Sequence, residues 1–111
     1  MSANVTNGKE AIEHLYSTFN PEAAAGEYAI IQISLSGEGG GDWYFTVDDG
    51  SATVTEGVSE DADTILKASA SDYVDMTNGK LNGMKAFMTG KIKISGNQAI
   101  LVKFQRWFPT G

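Results

Sequence analysis

At 111 residues the chain can bury one real core but is too short for two ordinary domains, so residues 1–111 read as a single domain. Its 41% hydrophobic and 20% charged residues exclude wholesale disorder, and the lack of cysteine excludes disulfides and thiol chemistry. A net charge of -6 with no recognised reading module argues against a nucleic-acid partner.

Asn7-x-x-Glu10 has the spacing of a capping box, and Ala11, Ile12, Leu15, Tyr16 and Phe19 then repeat at helical intervals. Asn20-Pro21 ends that helix, because the residue before a proline avoids the helical region. Residues 28–36 alternate as a strand, with Ile31, Ile33 and Leu35 on one side. After a glycine loop over 37–41, Trp43, Phe45 and Val47 share one face of a second strand. Asp49-Gly50 predicts a two-residue hairpin turn into a third strand over 51–56. A turn over 57–61 leads to a fourth strand over 63–68, with Thr64 and Leu66 inward. Ser69 or Ser71 caps the next helix, where Tyr73, Met76 and Thr77 share a face and Gly79 is the stop.

Leu81, Met84, Phe87 and Met88 then predict one apolar helix face turned to the core, stopped at Gly90. Lys91-Ile92-Lys93-Ile94 alternates as a fifth strand, Gly96-Asn97 turns, and Ile100, Leu101, Phe104, Trp107 and Phe108 mark one side of a last helix. Four strands grouped before most of the helices predict an α+β fold. Its five-stranded, mostly antiparallel sheet is covered on one face by helices, in the order α-β-β-β-β-α-α-β-α.

Little here can carry catalysis. His14 is the only histidine and reads as a rim residue, and no Gly-x-Ser-x-Gly elbow exists. One histidine and no cysteine give zinc no ligand set, so no metal or cofactor is expected. Glu60-Asp61-x-Asp63 lacks the central glycine and closing glutamate of a calcium loop and reads as a solvated turn. The glycine loop is followed by a strand rather than a helix, which leaves it a hairpin loop and not a phosphate cradle.

Charge is divided unevenly. All 14 acidic residues lie at or before Asp75, whereas six basic residues and no acid follow Met76. The two halves either pair across the fold or leave a positive patch for an anionic head group. The first ten residues lack the apolar run of a signal peptide, and no apolar run approaches a membrane span. The C-terminal Pro109-Thr110-Gly111 is not a peroxisomal address, so the expected location is cytoplasmic.

Lys80-Leu81, then Ala86-Phe87-Met88-x-Gly90-Lys91-x-Lys93-Ile94-x-Gly96-Asn97, resembles the C-terminal signature of the sterol carrier protein type 2 domain family. The likeness extends more weakly back to Tyr28, and the chain looks like a free-standing microbial member. The resemblance implies an apolar tunnel between sheet and helices and a non-catalytic carrier of fatty acid, fatty acyl-CoA or sterol. Burying an alkyl chain would contribute about 0.8 kcal/mol per CH₂ before ordering costs, so affinity needs no catalytic residue.

On that implication Met84, Phe87, Met88, Ile100, Leu101 and Phe104 line the tunnel, Trp43, Tyr73 and Met76 complete its walls, and Trp107 with Phe108 gates it. Lys80, Lys85, Lys91, Lys93 and Arg106 are the head-group candidates. Transient contact with a membrane surface, and monomer against homodimer, stay open. One rival is an interaction module of the same fold with a filled core, associated with lipid-metabolising enzymes and docking through Trp107-Phe108-Pro109 on a partner or a second copy. Another is an enzyme using His14 or Asp72.

Overall fold

The computed structural model describes residues 4–109; the readings made on residues 1–3 and 110–111 lie outside the described residues. The elements run α1 (Gly8–Ser17), β1 (Tyr28–Ser36), β2 (Gly41–Asp48), β3 (Ser51–Glu56), β4 (Thr64–Ser69), α2 (Ala70–Thr77), α3 (Gly83–Met88), β5 (Ile92–Gly96) and α4 (Gln98–Trp107). The expected order is the observed one.

Every helix begins on a side chain that takes up a free backbone N–H. Asn7 accepts from Glu10 N at 2.9 Å, and Ser69 from Asp72 N at 3.1 Å. Asn82 accepts from Met84 N and Lys85 N, and Asn97 from Ala99 N. The Glu10 carboxylate accepts in turn from Thr6 Oγ1 and Thr6 N, at 2.8 and 2.7 Å, and these bonds hold it below the usual carboxylate range. Asp49 (φ 44°) and Gly50 (φ 80°) form the tight turn between β2 and β3.

The strands form one open sheet in the order β3-β2-β1-β4-β5. β1/β2, β2/β3 and β4/β5 are antiparallel, and β1/β4 is parallel with Ile33 opposite Leu66, so the sheet is mixed. The parallel pair arises because the chain after β3 crosses back over the sheet before β4 begins. Gln32, only 2% exposed, fixes that crossing. Its amide donates to Trp43 O and Gly57 O, both at 3.1 Å, and its carbonyl accepts from Ser59 N at 2.7 Å.

One sheet face carries the core, built on Ile31, Ile33, Phe45, Val47, Thr64 and Leu66. Ala11, Ile12 and Leu15 of α1, Ala70 and Tyr73 of α2, and Phe104 and Trp107 of α4 cover it. Phe45, Phe104 and Phe108 form an aromatic knot with centroids 4.9–5.8 Å apart, and Phe19 adds to it at 5.1 Å from Phe108. The glycine loop is a packing device. Gly8 N donates to Gly39 O at 2.9 Å, and a Cβ at Gly8 would stand 2.5 Å from that oxygen.

Candidate functional site

The covering helices do not close completely over β4. Between them lies an apolar cleft of about 450 Å³, inside the ~300–1,000 Å³ range of small-molecule sites. Leu66 of β4 lines it, with Leu15 at the end of α1. Tyr73, Met76 and Thr77 line one side from α2, and Leu101, Phe104 and Gln105 another from α4. Leu81 and Gly83 on the approach to α3, and Phe108 and Pro109 after α4, complete the lining. The helical spacing of Tyr73, Met76 and Thr77 points them to one side, and that of Leu101 and Phe104 does the same from α4. The lining is apolar apart from Thr77, Gln105 and the tyrosine hydroxyl.

Tyr73 is the unusual group in this lining. It is 6% exposed, and burial alone pushes its hydroxyl well above the ordinary tyrosine value. Thr77 Oγ1 is committed to Tyr73 O at 3.0 Å, which closes the α2 backbone beneath the cleft.

The expected lining residues separate into two groups. Tyr73, Met76, Leu101 and Phe104 come together in the cleft. Trp43 is buried in the core from the interior strand β2, with its ring against Gly41, and does not line the cleft. Ile100 is half-buried against the core without lining the cleft. Trp107 and Phe108 are 1% and 2% exposed, so they are core residues and not a mobile gate, although Phe108 does form part of the wall. Trp107 O also accepts from Asn20 N at 2.7 Å, which fastens the end of α4 to the loop after α1.

The α3 expectation is corrected outright. Met84 and Met88 are 73% and 77% exposed, Phe87 is 48% exposed, and only Ala86 of this helix is buried. Helical spacing defines an apolar stripe but not the side on which the core lies. Here the Asn82 cap starts the helix after Leu81, and the small Ala86 is the side chain that fits against the rest of the fold.

The basic residues do not converge on the cleft. Lys91 and Lys93 lie in a separate, polar cleft of about 470 Å³ on the outward residues of β1, β4 and β5, with Ser34, Ser36, Asp42 and Lys67. Lys80 precedes α3, Lys85 lies within it, and Arg106 stands exposed on α4. Nor do the two halves of the chain pair extensively: among the described residues, the one ion pair is Lys103–Glu27 at 3.2 Å. Asp63 of the acidic turn accepts from Ile30 N at 2.8 Å, a strand-register contact.

Leu15, Leu81, Gln105, Phe108 and Pro109 were not singled out as lining. Leu15 and Phe108 read simply as core or gate, and Leu81 as part of a helix that starts two residues later. Nothing in their local pattern marks the gap between α2 and α4.

Comparison with known proteins bears on the family and the fold. The model of the SCP-2 sterol transfer family matches residues 10–109. Hydroxysteroid dehydrogenase-like protein 2 of Bos taurus is 39% identical over 79 residues, which make up 70% of this chain and 19% of that protein. The chain thus spans about a fifth of the length of the curated relatives it matches. The sterol carrier protein domain 2 of Helicoverpa armigera superposes with a TM-score of 0.66 at 27% identity, covering 96% of this chain and 90% of that one. Sterol carrier protein 2 like 2 of Aedes aegypti superposes with a TM-score of 0.72 at 18% identity, covering 88% and 93%. Its palmitated form gives a TM-score of 0.63 at 17% identity, covering 88% and 94%.

Proposed function

This chain belongs to the SCP-2 sterol transfer family, and from that premise we propose that it carries a fatty acyl chain in the cleft between β4, α2 and α4. Lipid binding and transfer are the business of the family. The acyl chain as cargo is the reading the cleft supports best. The observation that carries it is the lining itself: Leu15, Leu66, Met76, Leu81, Leu101, Phe104 and Phe108 around about 450 Å³ of open space.

Affinity on this reading comes from desolvation. Each methylene moved out of water contributes about 0.8 kcal/mol, so a dozen outweigh the cost of immobilising chain and walls. Met76 suits an apolar partner of variable shape, because its unbranched thioether adapts to irregular surfaces. Tyr73 and Gln105 are the polar groups available to orient a carboxyl or hydroxyl end. No step of bond making is required, and the chain acts as a carrier without catalysis.

None of Lys80, Lys85, Lys91, Lys93 and Arg106 lines the cleft, which favours a free fatty acid over its CoA thioester. The Aedes aegypti neighbour in its palmitated form is an instance of an acyl ligand on this fold. The interaction-module rival is weakened at its own anchor, because Trp107 and Phe108 are buried and not presented to a partner.

Titration with palmitate, cholesterol and palmitoyl-CoA, each competing with a fluorescent fatty acid, tests the reading. Saturable displacement by palmitate at one site per chain, with weaker displacement by the other two, is expected. Failure of palmitate to displace the probe, or preferential displacement by cholesterol, would contradict it.

A further inference from the structure

Three of the large apolar side chains left exposed by the fold lie within five positions, all on α3. Met84 and Met88 are one turn apart and point away from the buried Ala86, with Phe87 beside them half exposed. A contiguous apolar crest on a short projecting helix needs a partner to cover it.

The charge around the crest indicates what that partner is. Lys80, Lys85 and Lys91 are exposed just before, within and just after α3. Residues 1–75 carry 14 acids against two lysines, a formal -12, whereas residues 76–111 carry six basic residues and no acid, +6, which together give the chain's -6. Lys93 on the outward sheet face and Lys103, paired with Glu27, lie apart from the crest, so it is Lys80, Lys85 and Lys91 beside it that an anionic surface attracts while the acidic remainder of the chain is repelled. Apolar side chains ringed by lysines, on a body otherwise negative, match an anionic lipid bilayer.

We infer that α3 is a membrane-docking element: Met84, Phe87 and Met88 insert among the lipids of an anionic bilayer while Lys80, Lys85 and Lys91 meet its head groups. Gly83, the first residue of α3, and Leu81 before it line the apolar cleft. Docking through the crest therefore brings the mouth of the cleft to the lipid surface. Only this orienting consequence rests on the carrier reading; the docking itself rests on the exposed crest and its lysines.

Co-sedimentation of the full chain with vesicles of phosphatidylcholine, with and without 30 mol% phosphatidylserine (roughly the anionic content that gives a negative surface potential), tests the inference. Binding should require phosphatidylserine and weaken as salt is raised. The double variant M84S/M88S should bind roughly tenfold less or worse, since the inserted apolar surface is gone. K80E/K85E should lose binding by roughly fivefold or more per lysine on the anionic vesicles. Both variants alter exposed positions, so circular dichroism and thermal midpoint should match the parent.

Unchanged vesicle binding by M84S/M88S would overturn the inference. So would a chain that is dimeric by sedimentation, becomes monomeric on M84S/M88S and ignores vesicles, which would make the crest a self-interface. Vesicle binding without any uptake of fatty acid would leave docking intact and remove the carrier reading instead.

Discussion

The Tyr73 hydroxyl is held neutral by its surroundings, and this makes the residue a reporter of the cleft. The folded chain keeps the proton to higher pH than the unfolded chain, in which tyrosine titrates near 10. Its stabilisation is therefore fully present below about pH 10 and is lost as pH rises beyond it. Urea midpoints of the parent and of Y73F, followed from pH 8 to pH 11 (about the range spanning that value), should show the parent losing stability more steeply. Parallel curves would mean the hydroxyl is as free to ionise in the folded state as in the unfolded one. Gly96 makes a second residue-scale case. Its φ is +86°, and a Cβ there would stand 2.5 Å from Asp63 O, where β5 ends against the start of β4. G96A should cost about 1–3 kcal/mol in chemical denaturation, through backbone strain and collision with a neighbouring carbonyl. Both residues were recognised in the sequence, one as a wall and one as a turn. Gln32 was not, because a glutamine on the outward side of a strand reads as solvated until the crossing chain that covers it is seen.

At the scale of elements, α3 separates what pattern fixes from what it leaves open. The apolar spacing of Met84, Phe87 and Met88 announced a helix, and a helix formed. The same spacing could not say which way the stripe faces, and the structure turns it outward with Ala86 inward. The contrast has a direct consequence in stability. M88S should change the unfolding free energy by no more than about 0.5 kcal/mol, whereas A86L should cost about 1–3 kcal/mol by overpacking against the fold. If M88S proved the more damaging, the helix would have to face the core after all. For α2 and α4 the pattern sufficed, because Tyr73, Leu101 and Phe104 belong to stripes that have the sheet on one side and solvent on the other. The parallel pairing of β1 with β4 was beyond local pattern. It depends on where a loop of residues 57–63 is laid down, and no strand residue encodes that.

Taken as a whole molecule, the chain proposed as a carrier uses the gap left between α2, α4 and β4 as a binding site rather than leaving it as a packing defect. A ligand that fills it adds stability by mass action, about 2.7 kcal/mol at a hundredfold excess over its dissociation constant. Saturating palmitate should therefore raise the thermal midpoint of the parent but not that of L101W, in which an indole would occupy the space. The family signature around Phe87 to Asn97 pointed to this function from the sequence, yet its own Phe87, Met88, Lys91 and Lys93 lie outside the cleft. The motif marks the fold, and the site is made mostly by residues outside it, on α1, β4, α2 and α4. The most direct test is native mass spectrometry of the parent and of L101W, each mixed with palmitate. One palmitate should bind per parent chain and none on L101W. An unliganded parent, or an equal adduct on both chains, would contradict it.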